Sequence, residues 1–80
     1  MTQFKDDVPF ANLTVTVSTI DLAFTGVGTG FETCLFWADT SEVVASYEKA
    51  PDAIRGHKAF CNPDVVAAII GLRETNDRFA

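Results

Sequence analysis

The sequence is short of bases, of histidine and of cysteine. Six Lys and Arg stand against eleven Asp and Glu, and His57 is the single histidine among 80 residues. A net charge of −5 gives phosphates little to bind, so no nucleic acid is an expected partner. The two cysteines, Cys34 and Cys61, form no C-x-x-C pair and are too few for a disulfide framework. No run approaches the ~18 apolar residues of a membrane span, which removes the membrane as a partner. The opening Met1-Thr2-Gln3-Phe4-Lys5-Asp6-Asp7 lacks the basic-then-apolar layout of a signal peptide. A cytoplasmic protein is therefore expected. Length is lacking too: a domain usually takes roughly 100–200 residues, which excludes a multidomain enzyme and leaves residues 1–80 as one unit.

What is present can build a core. The chain is 48% apolar and 11% aromatic, well outside the composition of a disordered segment. Charge is divided unevenly. Residues 1–48 hold one base, Lys5, against seven acids, whereas residues 49–80 hold five bases and four acids. An acidic front half is either ordinary solubilising charge or a surface for a basic protein partner, with Glu32, Asp39, Glu42 and Glu48 as its candidate residues.

Periodicity predicts an α+β domain. Residues 1–10 read as a loosely ordered arm on which Phe4 and Phe10 can dock. Leu13-Thr14-Val15-Thr16-Val17-Ser18 alternates as a strand with one wet face, after which the apolar phase passes to Ile20, Leu22 and Phe24. That shift predicts a bulge near Ser18-Thr19 or a strand that crosses between environments. Gly26, Gly28 and Gly30 predict a turn, and the strand 31–37 that follows has apolar groups on both faces. A third strand runs through Val43, Val44 and Tyr47. The expected sheet is three-stranded and antiparallel (about 12–24, 31–37 and 42–48), with two C-terminal helices (about 51–61 and 63–73) on one face. Pro51 and Asp52 suit the first turn of the former, and Asn62-Pro63-Asp64 reads as the cap and first turn of the latter. The second helix is apolar all round. Val65, Val66, Ile69 and Ile70 form a candidate interaction surface, extended by Leu72; a two-fold homodimer through this helix is the expected cover, and the N-terminal arm folding back through Phe4 and Phe10 is the alternative.

Val17-Ser18-Thr19-Ile20 with Leu22, the glycine loop, Phe31-Glu32-Thr33 with Phe36, Tyr47, and Ala53 with Gly56-His57 make up a pattern. It resembles a group of small uncharacterised bacterial and phage proteins written V-S-T-x-x-L, a glycine-rich loop, F-E-T-x-x-F, Y and A-x-x-G-H. The resemblance covers residues 17–59. Cys34 stands where the group has Met, Ala23 where it has Gly, and the glycine loop is shorter. The resemblance implies an α+β fold and a phage or mobile-element origin, and it carries no site.

Several constellations carry chemistry on paper. Gly26-x-Gly28-x-Gly30 has phosphate-loop spacing, but it feeds a strand rather than a helix and no Lys-Ser/Thr follows, so a hairpin loop is expected. His57 and Cys61, one helical turn apart, and Cys34 offer zinc-type donors, yet no fourth ligand is marked and core packing is the simpler role. His57 as a general base would need Asp52 or Glu48 to orient it and Ser46 or Cys34 as nucleophile. Trp37, Phe36 and Tyr47 could stack on bases only among acids that repel phosphates. No catalytic, cofactor-binding or metal-ligating residue is therefore expected. The functional expectation is a non-enzymatic protein-binding module, in concrete form a phage-encoded inhibitor or modulator of a host or defence complex. A structural or assembly component is the alternative, and a small metal-dependent or thiol enzyme the third reading.

Overall fold

The computed structural model of the chain describes residues 3–10, 12–26 and 28–79. Among these, seven elements follow in order: β1 (Gln3–Phe10), β2 (Leu13–Asp21), α1 (Leu22–Thr25), β3 (Phe31–Trp37), β4 (Thr40–Tyr47), α2 (Ala50–Phe60) and α3 (Pro63–Phe79). The strands form one antiparallel sheet in the order β1-β2-β3-β4. The expected antiparallel sheet and C-terminal helices are present, but the sheet has four strands and not three.

The extra strand is the segment expected to be a loose arm. It pairs with β2 along its whole length, from Gln3 opposite Ile20 to Phe10 opposite Leu13. Phe4, Asp6 and Val8 share the register rows of Thr19, Val17 and Val15 and so lie on the covered face, while Lys5 and Asp7 lie on the other. Pro9 is tolerated because β1 is an edge strand and its nitrogen has no ladder bond to make. The cluster Lys5-Asp6-Asp7 hid an alternation that was there.

The expected bulge near Ser18-Thr19 is absent, because β2 holds its register through both residues against β1 and β3. Val15, Val17 and Thr19 continue one inward series, all fully buried. Ile20 belongs to the opposite face, and Leu22 and Phe24 belong to no strand. The strand ends at Asp21, whose carboxylate accepts from the Ala23 N–H at 3.0 Å and caps the single turn of α1. Gly26 closes that turn at φ 79°, a left-handed conformation that favours glycine. The register shift falls instead between β3 and β4, at Thr33/Cys34. It leaves Val44 as the extra residue.

Both helices cover the same face. Asn62 caps α3 as its sequence predicts, its side chain accepting from the Asp64 N–H at 2.8 Å. α3 lays Val66 and Ile70 into a cluster with Val8, Val15, Val17, Leu35 and Trp37, against which Phe10, Val44, Phe60, Cys61 and Ile69 pack. This corrects the surface expected on α3: Val66 and Ile70 are fully buried within the chain and unavailable to a partner. Val65 and Ile69 are half-buried, and Leu72 remains exposed. α3 also runs past the expected end at residue 73. Arg73 reaches Glu42 of β4 at 2.5 Å and ties this helix to the far edge of the sheet.

Candidate functional site

At the other end of the covered face, α2 lies over hydroxyls and not aliphatic groups. Ala53 and His57, four residues apart, form the buried side of α2. The imidazole enters the sheet between β1 and β2. Its Nδ1 lies 2.7 Å from Thr19 Oγ1, and its Nε2 lies 2.7 Å from Asp6 Oδ2. Thr19 Oγ1 is 2.6 Å from Thr33 Oγ1, and Thr33 donates to the Tyr47 hydroxyl at 3.2 Å. One chain of polar contacts thus crosses all four strands, from Asp6 of β1 to Tyr47 of β4. Phe4 covers the imidazole from the side, its ring centroid 5.6 Å away.

Two glycines make room for this chain. A methyl group on Gly56 would land inside the phenol ring of Tyr47, so only glycine lets the ring lie against α2. Gly30, at φ 89°, passes so close to β4 that a Cβ would stand 2.6 Å from the Tyr47 carbonyl oxygen. Among the described residues no buried side-chain nitrogen or oxygen lacks a hydrogen-bond partner. Thr19, Thr33, Tyr47, Gly56 and His57, scattered over 39 positions of the sequence, meet in one cluster.

Asp6, His57 and Thr19 stand in the order of a carboxylate–imidazole–hydroxyl triad, but the burial runs the wrong way. A nucleophilic hydroxyl must face substrate while its carboxylate is shielded. Here Thr19 is fully buried, and the Asp6 side chain is 61% exposed. The hydroxyl therefore has no access to a reacting carbonyl. Nor do the other expected partners of His57 reach it: Asp52 pairs with Arg55 on the surface of α2, and Ser46 shares the outer-face row of Glu32.

The expected donor set Cys34, His57 and Cys61 divides across the sheet. Cys34 lies on the uncovered face, opposite Ser18 and Val43. Cys61, at the end of α2, does meet His57, and the third group beside them is Asp6. The donor atoms of Asp6, His57 and Cys61 lie within 4.8 Å of one another. Burial pushes the Cys61 thiol up, helped by the charge of Asp6 and by the 3.9 Å contact with its Oδ2. Burial, then the charge of Glu32, does the same at Cys34.

The aromatic trio separates too. Trp37 is core, Tyr47 belongs to the polar chain, and Phe36 stands on the uncovered face. The four candidate acids form no single patch: Glu32 is on the uncovered face, Asp39 in the β3–β4 turn, Glu48 beyond β4, and Glu42 on the covered side, where Arg73 takes its charge. An open groove of about 500 Å³ lies between Leu22, Thr29, Phe31, Ser46, Tyr47 and Glu48. Glu48 is its single charged group, too little to activate the Ser46 hydroxyl.

The uncovered face of the sheet carries Thr16, Ser18 and Ile20 of β2, Glu32, Cys34 and Phe36 of β3, and Ser41, Val43 and Ser46 of β4. Phe36 is 44% and Val43 49% exposed. No protein-family model, curated protein or solved structure matches the chain. Among the described residues no helix is long and apolar enough to cross a membrane.

Proposed function

We propose that the chain is a non-enzymatic binding module that seats another protein on the uncovered face of its sheet. The observation that carries this reading is the exposure of Phe36 and Val43 on a face that no described helix covers. Ile20 and Cys34 extend that apolar strip, and Asp7 and Glu32 border it. Large apolar side chains grouped on a polar-rimmed face are the usual mark of an interface. The occupant is a protein with a basic rim. Residues 1–48, which supply the whole sheet, hold one base and seven acids, so stacking two copies face to face would oppose like charges.

The concrete form, an inhibitor or modulator of a host or defence complex, rests on the likeness to small phage proteins and gives the partner a place to be sought. Affinity capture from the source cell should recover one protein in stoichiometric amount, released by salt. Phe36→Glu should abolish that capture, while Leu72→Glu on α3 leaves it intact. Capture that survives Phe36→Glu and Val43→Glu together would remove the sheet face from the reading, and high copy number in purified particles would favour an assembly role.

A further inference from the structure

We propose that Asp6, His57 and Cys61 form a binding site for a divalent ion of the zinc class. The argument starts from the geometry at the end of the polar chain. Nδ1 of His57 lies 2.7 Å from Thr19 Oγ1, which fixes the ring, and Nε2 lies 2.7 Å from Asp6 Oδ2. Nε2 is thereby the nitrogen turned toward the exposed carboxylate.

A metal ion seated beside Nε2 and Oδ2 would bond to both, and the third group says which kind. Cys61 Sγ stands 3.9 Å from the same Asp6 oxygen, and the donor atoms lie within 4.8 Å of one another. Imidazole nitrogen, thiolate sulfur and one carboxylate oxygen suit zinc and its neighbours, whereas magnesium and calcium ask for oxygen alone. Charge balances at the loaded site: a dication, neutral imidazole, carboxylate and thiolate sum to zero, and the thiol proton passes to solvent as the sulfur binds the ion.

The surroundings fit a ligand histidine. Metal-bound imidazoles generally give their second N–H to an oxygen that fixes the ring, and Thr19 Oγ1 is in that position. The imidazole is buried while Asp6 is exposed, so the ion has a route from water and keeps at least one coordination position open to it.

Cobalt(II), added to the full chain under a non-coordinating reductant, tests the site directly. The expected result is one equivalent bound, with a near-ultraviolet sulfur-to-cobalt charge-transfer band and tetrahedral visible bands, both displaced by zinc. Cys61→Ser should abolish the charge-transfer band and Asp6→Asn should weaken binding. Cys34→Ser should leave the spectrum unchanged, because Cys34 is on the other side of the sheet. Thr19→Val, with the ring no longer fixed, should bind about 10–100-fold more weakly while Thr19→Ser recovers most of the loss. Folding of each variant is read without metal by far-ultraviolet dichroism. Weak octahedral bands alone in the wild-type chain, or a charge-transfer band that follows Cys34 and not Cys61, would overturn the proposal.

Discussion

The covered face of the sheet is built in two ways, and the contrast shows how so small a chain divides its tasks. Under α3 the contact is aliphatic: Val66 and Ile70 meet Val8, Val15, Val17 and Leu35, with Trp37 at the rim. Under α2 it is polar, with His57 bonded to Thr19 and, through Thr33, to Tyr47. Apolar contact is non-directional and contributes about 25 cal/mol per Å² buried, so it supplies stability without setting an angle. Hydrogen bonds add only about 0.5–1.5 kcal/mol each, but they have directions and leaving one unmade is costly. The α3 half holds the domain together, and the α2 half sets where helix and strands stand against each other.

Truncation in each half should break this contrast most sharply. Ile70→Ala removes a fully buried aliphatic and should cost about 2–5 kcal/mol, a large share of the stability of an 80-residue chain. His57→Ala should cost somewhat less, about 2–4 kcal/mol, from a cavity and the loss of one of the two hydrogen bonds of the buried Thr19 hydroxyl. The two should differ in kind: urea titration should show a lower midpoint for both, with near-ultraviolet dichroism altered before unfolding only in His57→Ala. Equal behaviour in the two measurements would abolish the distinction between the halves.

Gly56→Ala is the next test, because two effects of opposite sign compete. Alanine within a helix is worth about 1 kcal/mol over glycine. The new methyl group meets the Tyr47 ring, whose hydroxyl is tied to Thr33, and overpacking of that kind costs about 1–3 kcal/mol. The net expectation is destabilisation by up to about 2 kcal/mol. In a Tyr47→Ala background the obstacle is gone, and the same substitution should stabilise by about 0.5–1 kcal/mol. A thermal-melt double-mutant cycle without that reversal of sign would show that Tyr47 and α2 are not coupled.

Exchanging hydroxyl and methyl between the halves sharpens the comparison. Thr19→Val keeps the shape and orphans the groups on either side; Val17→Thr puts a hydroxyl among Val8, Val15 and Leu35. Each should cost about 1–3 kcal/mol, although the former makes the core more apolar. A chain stabilised by Thr19→Val would mean that the polar contacts cost more than they contribute.

These same residues explain what could and could not be read beforehand. Helix positions, the cap at Asn62 and the antiparallel pairing were legible because each depends on near neighbours in sequence: a proline, an acid, a short connection. Thr19 and Thr33 misled because polar residues within an alternating strand look solvent-facing; nothing local says that a histidine 38 residues away will bond the first. Asp6 was hidden twice over, in a cluster of charges and on a strand whose inward series is interrupted by its own carboxylate. One signal did point to the site. The Gly56-His57 pair joins a helix-weakening residue to a lone histidine on an apolar helix face. Both are costly unless something approaches closely, and that something is Tyr47 on one side and Thr19 on the other.

The uncovered face gives the smallest effect, through Cys34. Burial and the nearby Glu32 carboxylate raise its thiol above the ordinary value. The folded chain therefore binds this proton more tightly than the unfolded chain does. Below the unfolded thiol value, about 8.5, both states hold the proton and stability is unaffected. As pH rises past that value the unfolded state alone begins to ionise, so stability falls until the folded thiol also titrates. Cys34→Ser should flatten part of the alkaline fall in melting temperature and leave the neutral value nearly unchanged. Glu32→Gln, which removes the charge but not the burial, should recover the smaller part of the effect and speed alkylation of Cys34 at a fixed pH. Unchanged alkylation in Glu32→Gln, with Cys61 replaced by serine so that a single thiol reports, would mean that burial alone holds this thiol protonated.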